Sequence, residues 1–278
     1  MQMRISEQSK HTSQRRFRSG PHYPKTIAQS WYVHAFVPAA VLLISLALLS
    51  LISKSTLHLP ALTLYTLLLA LLSTMGRIAI AYLFAVVVAL PLVFLIYFSP
   101  KAERILLPLY DIIESVPALA FFPAIVLFFT KFNFVNGAAI FIISFSMLWE
   151  LVFSIVGGLT GIPNDIRSAA AVFRVKGFAE VKDLLLPAIL PQLVTGSILA
   201  WAEGWNLIIV AEVLHTYMLP GSTGGDLFGI GSILVSAASN GQNDIFVASL
   251  VVLTLAIAIL NFFVWQKLLQ YAEHYKFD

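Results

Sequence analysis

Four glutamates, Glu114, Glu150, Glu203 and Glu212, together with Asn206, fall inside or beside long apolar runs, where an ionisable side chain is most expensive. An acidic group at mid-bilayer costs about 2.5–3.5 kcal/mol on insertion scales, so these residues should face a helix-bundle interior or a water-filled path. Glu203 and Asn206 are three residues apart and share a helix face, and Glu212 lies six residues further on. The group suits two roles: lining a solute path, with Arg77 balancing charge near its outer mouth, or interhelical hydrogen bonding that fixes the bundle. Trp201 and Trp205, on the same helix, suit a gate or simple packing. Pro108, Pro117 and Pro123 free backbone carbonyls, which a membrane tolerates only beside partner helices or a water-filled cavity. They mark either a path-lining segment or a kink.

Other chemistries are excluded by what the chain lacks. It has no cysteine, hence no disulfide, thiolate metal site or cysteine nucleophile. His11, His22, His34, His58, His215 and His274 are scattered without metal-ligand spacing. No GxxxxGK[ST] loop occurs, and the glycine-rich stretch 221–231 lacks the lysine of a phosphate cradle. It is expected to be a flexible outer loop. The pairs Gly157/Gly161 and Gly225/Gly229 have small-xxx-small spacing, a weak sign of helix contact. No basic-aromatic surface suggests nucleic acid.

The elements that must position these residues are membrane spans. Hydrophobic residues make up 59% of the chain and charged residues 11%, and the mean hydropathy is +0.88. Residues 31–53 contain no Asp, Glu, Lys or Arg, enough at about 1.5 Å per residue to cross a core of roughly 30 Å. Further runs at 78–98, 105–130, 134–159, 188–213 and 245–266 make six candidate spans. Residues 59–75, interrupted by Pro60 and by threonines, are expected to form an interfacial or re-entrant helix on the outer face. With six spans and cytoplasmic termini, 14 Lys and Arg lie inside and only Lys54, Lys131 and Arg77 outside, a strong positive-inside bias. Residues 1–30 resemble a disordered basic tail able to touch anionic lipid. Residues 31–278 then form the membrane domain.

One polar island interrupts the apolar pattern. Across 162–187, Asp165, Arg167, Arg174, Lys176, Glu180, Lys182 and Asp183 alternate with apolar residues at helical spacing. Gly177 should split the segment into two short helices, and Pro187 and Pro191 mark entry into the next span. An amphipathic element of this kind fits a groove on a soluble protein, with Phe173 or Phe178 as anchors. Equally, it fits a helix lying on the lipid surface.

The island resembles the cytoplasmic EAA-x3-G-x9-I-x-LP motif of permease subunits of bacterial ATP-binding-cassette importers. It reads Ser168-Ala169-Ala170, three residues, Arg174, nine residues, Leu184, one residue, Leu186-Pro187. Ser168, Arg174 and Leu184 replace Glu, Gly and Ile, so the bend is expected from Gly177. The motif falls between the fourth and fifth spans, as in that family. The stretch beginning Glu114-Ser-Val-Pro117 is similar to that family's proline-punctuated third span, and the one beginning Leu186-Pro-Ala to its fifth-span entry. The stretch from Gly204-Trp-Asn to Ala-Glu212 resembles the nitrate, sulfonate and taurine type, especially the second half of its double-length members.

The resemblance implies an all-α, six-span type I importer permease with a MetI-like core at about 62–266 and a coupling loop at 162–187. It implies a multi-pass protein of the bacterial inner membrane that is not itself an enzyme and holds no cofactor, ATP-Mg residing in partner subunits. The implied partners are two cytoplasmic ATPase subunits, a second permease copy or paralogue, and an external solute-binding protein. Ser168, Ala169, Ala170, Phe173, Arg174, Gly177, Phe178, Leu184, Leu186 and Pro187 would couple to the ATPase. On their chemistry and placement rather than on the resemblance, Glu114, Pro117, Glu203, Trp205, Asn206 and Glu212 are the candidates for lining the path, with packing within the bundle as the alternative. Two other functions fit the residues: a secondary carrier driven by protons through Glu203 or Glu212, and a membrane scaffold whose loop recruits a soluble partner.

Overall fold

The computed structural model describes residues 61–214 and 225–275, all of them helical or in short connections. The basic tail, the expected span at 31–53 and all histidines except His274 lie outside the described residues. The first described element, α1 (Ala61–Phe98), is a single helix of 38 residues. At about 1.5 Å per residue it is about 57 Å long, well beyond the roughly 30 Å hydrocarbon core.

This corrects the expectation of a separate interfacial helix at 59–75, since its described part, from Ala61 on, continues unbroken into the span at 78–98. The physical reason is one continuous stripe. Leu67, Ala70, Thr74, Ile78, Ala81, Ala85 and Ala89 recur at helical spacing and are all buried, while Leu72, Leu83 and Val87 on the other side are exposed. Small residues on the inner stripe let neighbouring backbones approach without a hydrophobic drive from water.

The expected span at 105–130 is also not one helix. The helices α2 (Pro100–Glu114) and α3 (Phe122–Lys131, preceded by a 3-10 turn at Ala118–Phe121) meet at 82°. Pro117 causes the break: it has no N–H to continue α2 and disfavours helical backbone at Val116. Ser99 opens α2 by accepting the Ala102 N–H, and the Ser115 hydroxyl closes it on the Asp111 carbonyl.

The centre of the bundle is α4 (Val135–Thr160) against α6 (Leu186–Glu212), with α1 packed on α4. Glycines allow the close approach. A Cβ at Gly196 would stand 2.6 Å from the Ser154 Cβ, and one at Gly158 would stand 3.0 Å from the Gln192 side chain. At Gly157, singled out by its spacing, a Cβ would meet nothing. Between α4 and α6 lies the short helix α5 (Asn164–Val172). After α6 come α7 (Ile230–Ser239) and α8 (Asn243–Leu260), which runs through a π-helical segment (Asn261–Trp265) into α9 (Gln266–Ala272). Four of these helical runs are long and apolar enough to cross a membrane, or five if α2 and α3 together form one bent span.

Candidate functional site

The loop between α4 and α6 is a helix, a turn and a second helical start. α5 ends in a Schellman arrangement: the Arg174 N–H bonds to the Ala171 carbonyl at 3.1 Å and the Val175 N–H to the Ala170 carbonyl at 3.0 Å. That geometry puts Arg174 at φ 56°, the left-handed region where glycine is favoured. The expected bend at Gly177 is present too, at φ 63°. The turn therefore has two left-handed residues, and Arg174 adopts the conformation for which a glycine would be chosen. The chain resumes at Phe178–Glu180 and passes through a π-helical segment (Val181–Leu185) directly into α6.

The loop is braced from below and bare above. Ile166, Val181 and Leu184 pack on the core, Leu185 is fully buried, and Arg167 donates through Nη2 to the Leu159 carbonyl at 2.6 Å. On the other side Val172, Phe173 and Phe178 are 79%, 80% and 82% exposed. Ser168, Ala169, Arg174 and Gly177 are exposed beside them, Ala170 is half-buried, and Leu186 and Pro187 start α6.

The expected path residues divide into two groups. Glu203 and Glu212 are nine residues apart on α6, and at about 100° per residue that places them on opposite sides. Glu212 is fully buried. Its Oε1 accepts from Arg77 Nη1 at 2.6 Å and from the Thr74 hydroxyl at 2.7 Å, and its Oε2 accepts from the Gly231 N–H at 2.8 Å. Arg77 spreads its other donors onto Asn136 Oδ1 and the Phe228 carbonyl, each at 2.9 Å. One ion pair thus ties together α1, α4, α6 and the segment leading into α7.

The stretch 221–231 was expected to be a flexible loop; its described part is anchored. Leu227 donates to the Glu212 carbonyl, Asp226 accepts the Leu214 N–H, and Ile230 donates to the Thr74 hydroxyl. Any side chain at Gly229 would overlap the Glu212 carboxylate. Sequence reasoning had placed Arg77 near the second span as a balancing charge but had missed Thr74 and Asn136. Thr74 stands one turn before Arg77 on the buried stripe, which is the signal that would have found it.

The second group lies toward the subunit surface. The Ser146 hydroxyl donates to Glu203 Oε1 at 3.0 Å, and Glu150 is in electrostatic reach of both Glu114 and Glu203. Glu114, Pro117 and Asn206 are exposed, while Glu150 and Glu203 are half-buried. Among the described residues no cluster of three or more His, Asp or Glu could hold a metal ion. Trp205 is buried, with its ring 6.3 Å from Trp201, which also meets Tyr82 at 6.0 Å and Trp265 at 5.9 Å. Trp201 is thus a packing hub joining three helical runs.

The described residues thus form a helical bundle carrying one braced loop with an apolar tip. A model of the family described as binding-protein-dependent transport system inner membrane component matches residues 81–270. The chain belongs to this family. As an inner membrane component it is an integral, multi-pass protein. It is 29% identical over 189 residues to the nitrate import permease protein NrtB of Leptolyngbya laminosa, a match covering 68% of this chain and 63% of that one. It is 24% identical to the bicarbonate transport system permease protein CmpB of Synechococcus elongatus, covering 70% and 66% of the two chains. It is also 24% identical to the putative aliphatic sulfonates transport permease protein SsuC of Bacillus subtilis, covering 72% and 69%. The chain thus spans about 63% of the length of the NrtB relative. Among solved structures it is similar to a chain of the MetNI methionine ABC transporter in an inward-facing conformation, with TM-score 0.64, 17% identity and coverage of 77% of this chain and 99% of that one. That likeness establishes the permease fold.

Proposed function

We propose that this chain is the permease subunit of an ATP-driven importer. It would cross the inner membrane six times with both termini in the cytoplasm and pair with a second permease subunit. Two cytoplasmic ATPase subunits would dock on the loops, and an external binding protein would deliver solute. The observation that carries this reading is the loop 162–187, whose Val172, Phe173 and Phe178 are about four-fifths exposed while its other side is fixed to the bundle. Apolar side chains held in the open by a braced backbone fit a groove on another protein. Because the second half of the loop, from Phe178, runs into α6 without a break, a push on it would reach the span that carries Glu203 and Asn206. ATPase closure would then rock the spans between inward- and outward-open states.

The named relatives are permeases for nitrate, bicarbonate and aliphatic sulfonates, and a small anion is the solute class we assign. Glu114, Glu150 and Glu203 offer such a solute no binding group, so selectivity would rest with the binding protein. The test is reconstitution with the cognate ATPase and binding protein in vesicles. Uptake should require ATP and persist without a proton gradient. Ala170→Asp should leave membrane insertion intact while uncoupling hydrolysis from uptake, because a charge pressed into a protein groove is poorly solvated. Uptake that needs no ATPase and collapses with the proton gradient would replace this reading with a secondary carrier.

A further inference from the structure

Arg174 is held in a backbone conformation that costs a non-glycine residue roughly 1–2 kcal/mol, and its side chain has no hydrogen-bond or ion-pair partner among the described residues. The loop's other interior arginine, Arg167, is used for bracing. Arg174 instead stands in the open, in sequence directly after Phe173 and four residues before Phe178. The backbone hydrogen bonds of the turn hold that conformation, and no side-chain contact of Arg174 among the described residues adds to them. We infer that Arg174 pairs with a carboxylate at the rim of the ATPase groove, with Phe173 and Phe178 seated in the groove beside it, so that a cation in place of a glycine selects the cognate ATPase subunit. This rests on the permease reading above.

Two observations favour a protein partner over lipid. A helix lying on a membrane needs an apolar stripe along its length. Here Ile166 is already packed against the core, and the exposed apolar side chains gather at one end of α5 as Val172 and Phe173, with Phe178 across the turn. That is a compact knob, suited to a pocket with an acidic rim. Arginine also matches a carboxylate with two parallel N–H donors, which a lysine could not reproduce.

The experiment is binding of the full-length permease, in detergent, to the separately purified cognate ATPase, read as affinity against salt concentration. The variants are Arg174→Glu and Arg174→Gly, with Ala170→Asp as reference. Arg174→Glu should weaken binding by about tenfold or more, as for close interfacial charge pairs. Arg174→Gly, which eases the backbone and so cannot fail through strain, should weaken it less and flatten its salt dependence. A lysine replacing one acidic residue on the groove rim should restore Arg174→Glu. If both Arg174 variants bind like the parent while Ala170→Asp does not, the inference falls and the permease reading stands. If Ala170→Asp also binds normally, the docking role of the loop falls with it. Loss of binding by Arg174→Glu to vesicles containing anionic lipid, with ATPase affinity unchanged, would overturn the inference in favour of a lipid contact.

Discussion

Arg77 and Glu212, 135 residues apart in sequence, meet at 2.6 Å inside the bundle, with the carboxylate wholly buried and the guanidinium side chain 11% exposed. Removing one partner of such a pair strands the other, at a cost of about 3–5 kcal/mol, whereas replacing both with apolar residues is often neutral. Glu212→Ala should therefore lower thermal stability in detergent sharply. The double variant Arg77→Met/Glu212→Leu should recover much of the loss in a double-mutant cycle. Simple addition of the two single effects would show that the pair is uncoupled.

Gly229 has no room for a methyl group, because Glu212 fills the space. Gly229→Ala should destabilise by about 1–3 kcal/mol, the usual cost of overpacking. Gly157→Ala, where a Cβ meets nothing, should be neutral or slightly stabilising in the same melting assay. Equal effects of the two would remove the argument that Gly229 is chosen for contact with the carboxylate.

Gly177 combines φ 63° with ψ −130°, a region closed to other residues. Gly177→Ala should cost about 1–3 kcal/mol locally. The loss should appear as faster amide exchange or proteolysis within 164–186, with little change in the melting of the spans. Unchanged protection of that segment would show that the turn can be built another way.

The Tyr82 hydroxyl and the Ser197 hydroxyl are 2.6 Å apart, joining α1 to α6. Interhelical hydrogen bonds in membranes average about 0.6 kcal/mol, so Tyr82→Phe should destabilise by well under 2 kcal/mol. Tyr82→Ala should cost more, because it also removes the ring packed against Trp201.

Much of this fold could be read from hydropathy. The run at 134–159 is α4 within one residue at each end, and the run at 188–213 is α6 within two. The reading failed where a polar residue had a distant partner. Thr63, Thr66 and Thr74 looked like interruptions, yet the Thr74 hydroxyl is buried against a carboxylate 138 residues away, and no local pattern announces such a partner. Pro117 was recognised, but whether it bends or breaks a helix depends on what surrounds it, and here it divides one expected span into two helices. Glu203 and Glu212 were grouped by chemistry, although nine residues of helix turn them apart. In the loop, the bend expected at Gly177 is present, and a second positive-φ residue stands at Arg174, where the motif has its glycine. The motif could not say that an arginine would take up a glycine's backbone angles.

α1 has no break between Ala61 and Pro91, its first internal proline. A rod of that length, held part-way along by Arg77, would work as a tiller if it pivots there, delivering displacement of one end, reversed in direction, to the other. The same guanidinium also holds the Phe228 carbonyl, two residues before the start of α7, so α1 and the segment leading into α7 share one anchor.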